Sequence, residues 1–527
     1  MANVLGLAGL NRLDGTTKLI AAYGNDLINV DTGAGYSQNI TSTNAPSFEQ
    51  FLNHLFYNNY ADKPRHFNGT IWSTNLASKM PMAKYMKRWR NKLYLGYVKF
   101  PQSGVESWDA DPIGSGANAT DITFGSRVFS CELPTEKNKL KWGVHWSSRY
   151  STLKDADNKL RISAYVGPGF LDVGIKFGDP IYILDGASLS LGKYTVARVD
   201  SNDQVTTLET IPKQLTNATG WIGSNWFEVD TEDGDFITGL EENNDRLLVF
   251  KQDKLYRYDA TSLKPVKGCP GATSPASIKN VKDTYTIYFH GSSGNKTGFY
   301  LYDGVSSKKI SNALEKHILG IPSTSYGSIV AWTEGDLYRA YIGTITNANF
   351  GISLTQAVWT YDITTNTQSI DPVGKTITCS GQVRESGGQN TYIGDSDNSV
   401  FLVGQDTAYD YDGGPINFEI ITHPRYPLGT DSLIHLTRCQ VIARNARGMK
   451  IEYKLVDDQS GKIDDRWYPL GEIEDDKTEF TFPIVHCIAS GIQYRAAQSS
   501  TKEPDMLLEK ITTFYRSEGT YHVVPRQ

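Results

Sequence analysis

Hydrophobic and polar positions alternate in short runs along most of this chain, and the runs come in pairs that end on an Asp and a Gly or Asn turn. Leu19-Ile20-Ala21-Ala22-Tyr23 is followed by Leu27-Ile28-Asn29-Val30-Asp31, and Arg246-Leu247-Leu248-Val249-Phe250 by Lys254-Leu255-Tyr256-Arg257-Tyr258-Asp259. A third pair is Tyr285-Thr286-Ile287-Tyr288-Phe289 with Phe299-Tyr300-Leu301-Tyr302-Asp303-Gly304. A period of two over about five residues marks a half-buried strand. Paired strands repeating at roughly 40 to 50 residues predict the blades of a β-propeller.

The rhythm runs through Leu5 to Val30, Phe48 to Phe67 and Met86 to Val98, then breaks over 101–126, where Gly, Ser, Ala and Asp without alternation predict a long surface loop. Over 163–215 the strands Ile175 to Ile183, Gly192 to Val199 and Gln204 to Glu209 are joined by tight turns and predict a small inserted β-barrel-like module. Blade rhythm returns at Phe236 to Leu240 and continues to Tyr392-Ile393-Gly394-Asp395. After the polar cluster Tyr409 to Pro415 the strands lengthen, as in Leu436 to Ala443 and Glu479 to Val485, and predict a β-sandwich.

The fold class expected is therefore all-β. A propeller of about seven blades occupies 1–162 and 216–410, the module over 163–215 interrupts it, and a C-terminal β-sandwich follows over 411–527. Helix is confined to connectors such as Asn312 to Leu319. The chain enters its first strand by Val4, and ring closure is expected to borrow a strand near Val400-Phe401-Leu402.

At 527 residues the chain can bury ample core without staples. Cys131, Cys269, Cys379, Cys439 and Cys487 share no CxxC spacing and read as reduced, mostly buried small hydrophobes, with a Cys439 to Cys487 bridge conceivable if both face one core. A net charge of −6 offers no basic face for nucleic acid. The densest basic spot, Lys84, Lys87, Arg88 and Arg90, reads by default as a solvated strand edge on which Lys discourages edge pairing, and otherwise as a contact for an acidic partner or nucleic acid. No apolar run has the length of a membrane helix or the form of a Sec signal, so neither membrane insertion nor a signal peptide is expected.

Chemistry is sparse. The nine His follow no metal spacing, and Gly167-Pro168-Gly169 lacks the rest of a phosphate loop. Two acidic turns carry hard oxygens suited to Ca²⁺: Asp230, Glu232, Asp233 and Asp235, and Asp457, Asp458, Asp464 and Asp465. Neither has the twelve-residue loop with its closing Glu, so a solvated turn is the default for both. Asp395, Asp397 and Asn398 come nearest to a sialidase-type Asp box and read as a turn bonded to its own backbone. No catalytic residue and no cofactor is expected.

One resemblance adds to this reading. Phe236-Ile237-Thr238-Gly239-Leu240, then Arg246 to Lys251, Leu255-Tyr256 and Gly268-Cys269-Pro270-Gly271-Ala272-Thr273-Ser274-Pro275, resembles the central segment of β-propeller structural proteins of tailed bacteriophages. These are the tail nozzle, or tubular, proteins and the head-to-tail stabilisation proteins. Arg90-Asn91-Lys92-Leu93-Tyr94 and Ser126 to Ser130 are similar to the strands before that segment, Gly298 to Gly304 to the one after, and Trp467-Tyr468-Pro469-Leu470-Gly471 with Ile492-Gln493-Tyr494-Arg495 to the closing domain. The resemblance implies a non-enzymatic virion protein of the tail or neck that self-associates into a ring of six copies. It also implies tail, adaptor or portal-associated neighbours, and genomic DNA passing through the lumen without sequence-specific binding. From a different class, the many Tyr and Trp suit a glycan-binding or glycan-cleaving propeller on a host surface, although no paired carboxylates of a retaining glycosidase can be assigned.

Overall fold

Seven small sheets are threaded in order along the chain, and the first strand of each touches the first strand of the next until the seventh returns to the first. This is a closed seven-bladed propeller. The computed structural model describes residues 3–37, 40–41, 44–74, 80–100, 122–131, 142, 144–153, 156–162, 170–184, 190–211, 218–223, 225–231, 233–292, 296–348, 351–385, 388–403, 416–422, 425–428, 432–444, 446–456, 466–474, 478–501 and 507–520.

Blade 1 is built from Val4–Asn11, Thr17–Tyr23, Asp26–Asn29 and Gly35–Ser37, and blade 2 from Ser47–Phe51, His54–Asn58, Arg65–Phe67 and Trp72–Ser73. Blade 3 takes Met82–Trp89, Lys92–Phe100 and Ile122–Ser130, and receives its outer strand, Trp226–Glu228, only after the inserted module. Blade 4 comprises Ile237–Asn243, Arg246–Lys251, Leu255–Tyr258 and Leu263–Pro265; blade 5 comprises Lys279–Val281, Tyr285–His290, Gly298–Tyr302 and Ser307–Lys309. Blade 6 comprises Val330–Glu334, Leu337–Asn347, Ile352–Asp362 and Thr367–Pro372, and blade 7 Ile377–Glu385, Gly388–Asp395 and Val400–Leu402.

The Tyr-Asp signature has a physical cause. Asp259, Asp303 and Asp362 sit where the third strand turns into the fourth in blades 4, 5 and 6, and each Oδ1 accepts backbone N–H groups two and three residues on. The preceding Tyr hydroxyl donates into the same turn, from Tyr258 to Ala260 O, Tyr302 to Gly304 O and Tyr361 to Asn366 Oδ1. The short polar side chain imitates a backbone turn, while the rings fill the space between blades. Between blades 5 and 6 Phe299 stacks on Trp359 at 4.1 Å and 8°, and Trp359 lies parallel to Tyr361.

Ring closure corrects the expectation of a borrowed strand. Val400–Leu402 pairs within blade 7 itself, and blades 7 and 1 meet through the faces of Val4–Asn11 and Ile377–Glu385. The Thr378 hydroxyl donates to Val4 O at 2.6 Å and Arg384 N–H to Asn11 Oδ1 at 2.9 Å. Between these bonds glycine lets the backbones touch. A Cβ on Gly9 would lie 2.2 Å from Gln382 O, and one on Gly381 would lie 2.6 Å from Leu7 C and O.

The inserted module is wider than 163–215. Its closed barrel runs Val144–Leu153, Ala156–Ile162, Gln204–Thr207, Ser190–Val199, Pro180–Leu184, Ala218–Gly223 and back to the first. Tyr150, Leu160, Ile181, Ile183, Val196, Val205 and Ile222 are buried in a cluster continuous with residues of blades 2 and 3. Only Pro180–Leu184 of the expected first strand is extended, because Lys176 to Asp179 close a turn in which Asp179 N–H bonds Lys176 O and Lys176 N–H bonds Asp179 Oδ2; before it Phe170–Val173 forms a helical turn that stacks Phe170 against Tyr150. The expected loop over 101–126 is also shorter at its end: Ile122–Ser130 is one strand paired with Lys92–Phe100, and 101–121 lie outside the described residues.

The compact units divide between Val403 and Gly404; the expected boundary at 410/411 lies outside the described residues. The second unit is a sandwich. One sheet orders Ile416–Ile421, Gly491–Thr501, Lys450–Val456 and Tyr468–Glu472, and the other Glu479–Ala489, Ser432–Arg444 and Leu507–Thr520. Leu436, Cys439, Val441, Ile451, Ile492 and Tyr494 fill the space between them. Cys131, Cys269, Cys379 and Cys439 are free and buried. In register Cys439 faces Phe482 whereas Leu436 faces Cys487; the Cys487 side chain is outside the described residues. Asn312 to Leu319 folds as the expected connector, a 3-10 turn at Ser311–Leu314 running into Glu315–Ile318.

Candidate functional site at the axial mouth

Polar groups on or beside the inner strands bridge the blade junctions around the ring. Arg384 N–H reaches Asn11 from blade 7 to blade 1, and Asn11 N–H reaches Gln50 Oε1 at 2.9 Å from blade 1 to blade 2. Met86 N–H donates to Ser47 Oγ at 3.0 Å between blades 3 and 2. Lys87 of blade 3 pairs with Glu241 of blade 4 at 2.5 Å, and Asn280 of blade 5 donates to the same carboxylate at 3.2 Å. Lys282 meets Asp336 at 2.7 Å between blades 5 and 6, and Gln382 donates to Thr333 Oγ1 at 2.9 Å between blades 7 and 6.

Within this belt Glu49, Lys87, Glu241 and Lys279 place alternating charges on the inner strands of blades 2 to 5. All four are half-buried, so protein encloses them while some surface stays wet. Burial pushes the Glu49 carboxyl up to about 7; Lys87 opposes the rise and Glu241 reinforces it. Burial lowers the Lys279 ammonium, with Glu241 opposing and Lys87 adding to the effect. For Lys87 burial works downward too, but Glu241 and Glu49 outweigh it and hold the ammonium charged. Glu49 is therefore a carboxyl that exchanges a proton near neutral pH. Glu241, the other carboxylate of the belt, is itself held by Lys87 and Asn280.

The basic run singled out in the sequence is divided by this geometry and is not a uniform solvated edge. Lys84 lies 3.7 Å over the Tyr97 ring, Lys87 joins the axial belt, and Arg90 grips Asp245 bidentately and reaches Asp259 O. Arg88 is exposed.

Of the acidic turn, Asp230 and Asp233 converge, but on lysine. Lys251, 0% exposed, places Nζ 2.6 Å from both Asp230 O and Asp233 Oδ1. Lys254 bridges Asp230 at 2.8 Å and Asp233 at 3.1 Å, and the Tyr256 hydroxyl donates to Asp230. Asp235 accepts N–H groups of Phe236, Gln252 and Asp253, and Glu232 lies outside the described residues. Two ammonium groups stand where Ca²⁺ was considered, which corrects that candidate. Asp457, Asp458, Asp464 and Asp465 lie outside the described residues. Among the described residues no group of three or more His, Cys, Asp or Glu is arranged to hold a metal, and no helix is long and apolar enough to cross a membrane.

No protein-family model and no curated protein matches the chain. Among solved structures, it is similar to the Pan2 WD40 domain of Neurospora crassa, at 7% identity over 76% of this chain and 88% of that one with a TM-score of 0.28. It is also similar to a Bacteroides fragilis protein provisionally described as a 6-phosphogluconolactonase, at 11% identity over 69% and 92% with a TM-score of 0.27.

Sequence reasoning missed the axial set. Glu49, Lys87, Glu241 and Lys279 share no motif, and the signal that would have found them is positional: each lies on the first strand of a blade.

Proposed function

We propose that this chain is a structural subunit of a tailed-bacteriophage virion, a tail or neck protein that packs with copies of itself into a ring around the channel that retains and releases the genome. The observation that carries the reading is that the polar groups of the propeller engage one another across the blade junctions. That makes a stiff body. The ordered sequence resemblance supports the same reading. A rigid wedge repeated through a fixed rotation closes a ring by heterologous contacts. In this arrangement the barrel and the C-terminal sandwich supply surfaces for tail, adaptor or portal-associated neighbours, and DNA passes between copies rather than along the axis of any one propeller.

Quantitative peptide mass spectrometry on gradient-banded particles tests this. The expected result is roughly six to twelve copies per particle, as for a ring of small cyclic symmetry. Recovery only in the soluble fraction overturns it. A second reading, a glycan-directed propeller, is favoured by one feature: Phe236 is 53% exposed and continues through Tyr97 to Tyr60, at 5.7 and 5.4 Å, beside Lys84 and Lys99. Depletion of the chain by cell-wall polysaccharide would select that reading.

A further inference from the structure

We propose that the turn from Asp395 to Ser399, between the second and third strands of blade 7, binds one hard cation of the Ca²⁺ class. Asp395 is fully buried. Its Oδ1 accepts the N–H groups of Asp397 at 2.9 Å and Ser399 at 2.7 Å, while its Oδ2 is buried with no donor. Three residues on, Asn398 stands in the left-handed region at φ 73°, and its Oδ1 is likewise buried with no donor. One short turn thus holds two enclosed oxygens that accept nothing.

Charge decides what fits them. A carboxylate removed from solvent needs a compensating positive charge. The lysine bonded to this turn, Lys375, meets Asp397 at 3.3 Å, and Asp397 itself is 64% exposed. A water molecule at Asp395 Oδ2 would leave the charge uncompensated; a cation would not. A carboxylate and an amide oxygen are hard ligands, suited to Ca²⁺ and not to thiophilic metals. With so few protein ligands, water completes the shell and the affinity belongs to the weak class, Kd on the order of 10⁻⁴ to 10⁻³ M.

The location gives binding a readout. Gly394, next to Asp395, is pressed against Val4 and Cys379, so that a Cβ there would meet both at 2.8 Å. Ser396 N–H bonds Thr376 O at the start of the blade. A cation in this turn braces blade 7 where it meets blade 1.

The test uses the full chain freed of metal with EDTA. Thermal unfolding is followed while CaCl₂ is raised to about 10 mM, above the expected weak Kd, with NaCl of matched ionic strength as the blank. The expected result is a saturable rise in Tm for the parent chain that is lost in Asn398→Gly, which removes the oxygen and keeps the left-handed backbone, and in Asp395→Asn. No rise in the parent means water alone fills the site and overturns the proposal. An equal rise in parent and Asn398→Gly places the cation elsewhere and overturns it too. Should Asp395→Asn fail to fold, Asn398→Gly decides alone.

Discussion

Substituting Gly381 with alanine introduces a single methyl group where blades 7 and 1 close the ring. Its Cβ would lie 2.6 Å from three atoms of Leu7, two of them backbone. Backbone atoms cannot rotate away, so relief requires the strands Val4–Asn11 and Ile377–Glu385 to part by about 1 Å, and overpacking of this kind costs about 1–3 kcal/mol. Parting also strains the bonds from Thr378 to Val4 O and from Arg384 N to Asn11, each worth about 1 kcal/mol, which points to the upper half of that range. With a urea slope of about 3 kcal/mol/M for a large unit, the midpoint should fall by roughly 0.7 to 1 M. Tryptophan emission is a suitable probe, since nine of the ten tryptophans precede residue 404. Gly35→Ala is the control: nothing lies within 4 Å of its Cβ and its φ is unexceptional, so its stability should stay within about 0.5 kcal/mol of the parent. If Gly381→Ala unfolds together with Gly35→Ala, the glycine seam does not hold the ring and the closure argument fails.

Glu49 contributes in the opposite sense to most carboxylates. Its folded value, about 7, lies above the ordinary 4.5, so its contribution to stability is fully present below pH 4.5 and is lost as pH rises through 7. Glu49→Gln should therefore flatten the stability profile between pH 5 and 8 and raise stability at pH 8, read from urea midpoints across that range; an unchanged profile would exclude Glu49 as its source. Lys251→Met keeps the aliphatic stem but leaves Asp233 without its buried partner, and should destabilise the first unit by about 3 kcal/mol; a calorimetric change near zero would mean that Lys254 suffices. Asp303→Ala removes acceptors for the N–H groups of Val305 and Ser306 and should cost about 1 kcal/mol. Backbone N–H groups hold the Asp303 carboxyl below its ordinary value, so this contribution exists above about pH 4 and fades as pH falls through the folded value, leaving parent and variant equally stable in strong acid.

What the chain reveals without a structure is local. Strand alternation and the Tyr-Asp turn are interactions within a few residues, so the blades were legible as repeats. The barrel's limits were not, because Val144–Leu153 and Ala156–Ile162 follow the same period of two as blade strands, and only pairing with Gln204–Thr207 and Ala218–Gly223 assigns them to the barrel. Residue types alone were equally ambiguous at Asp230 and Asp233, where a carboxylate cluster suits Ca²⁺ or lysine, and the decisive Lys251 lies on a strand two turns later. Glu49 and Glu241 are brought into one field by the curvature of the ring, which no window along the chain contains.

The seam between the first and last blades also sets a timetable for synthesis. Thr378 and Val4, which it joins, are 374 residues apart. At about 5–20 residues per second the opening strand leaves the ribosome roughly 20 to 75 seconds before its partner exists. Throughout that interval Val4 and Leu7, both buried in the finished ring, face whatever the cell offers. Every nascent copy passes through an open, incompletely covered arc of blades, and only translation to the seventh blade ends that exposure.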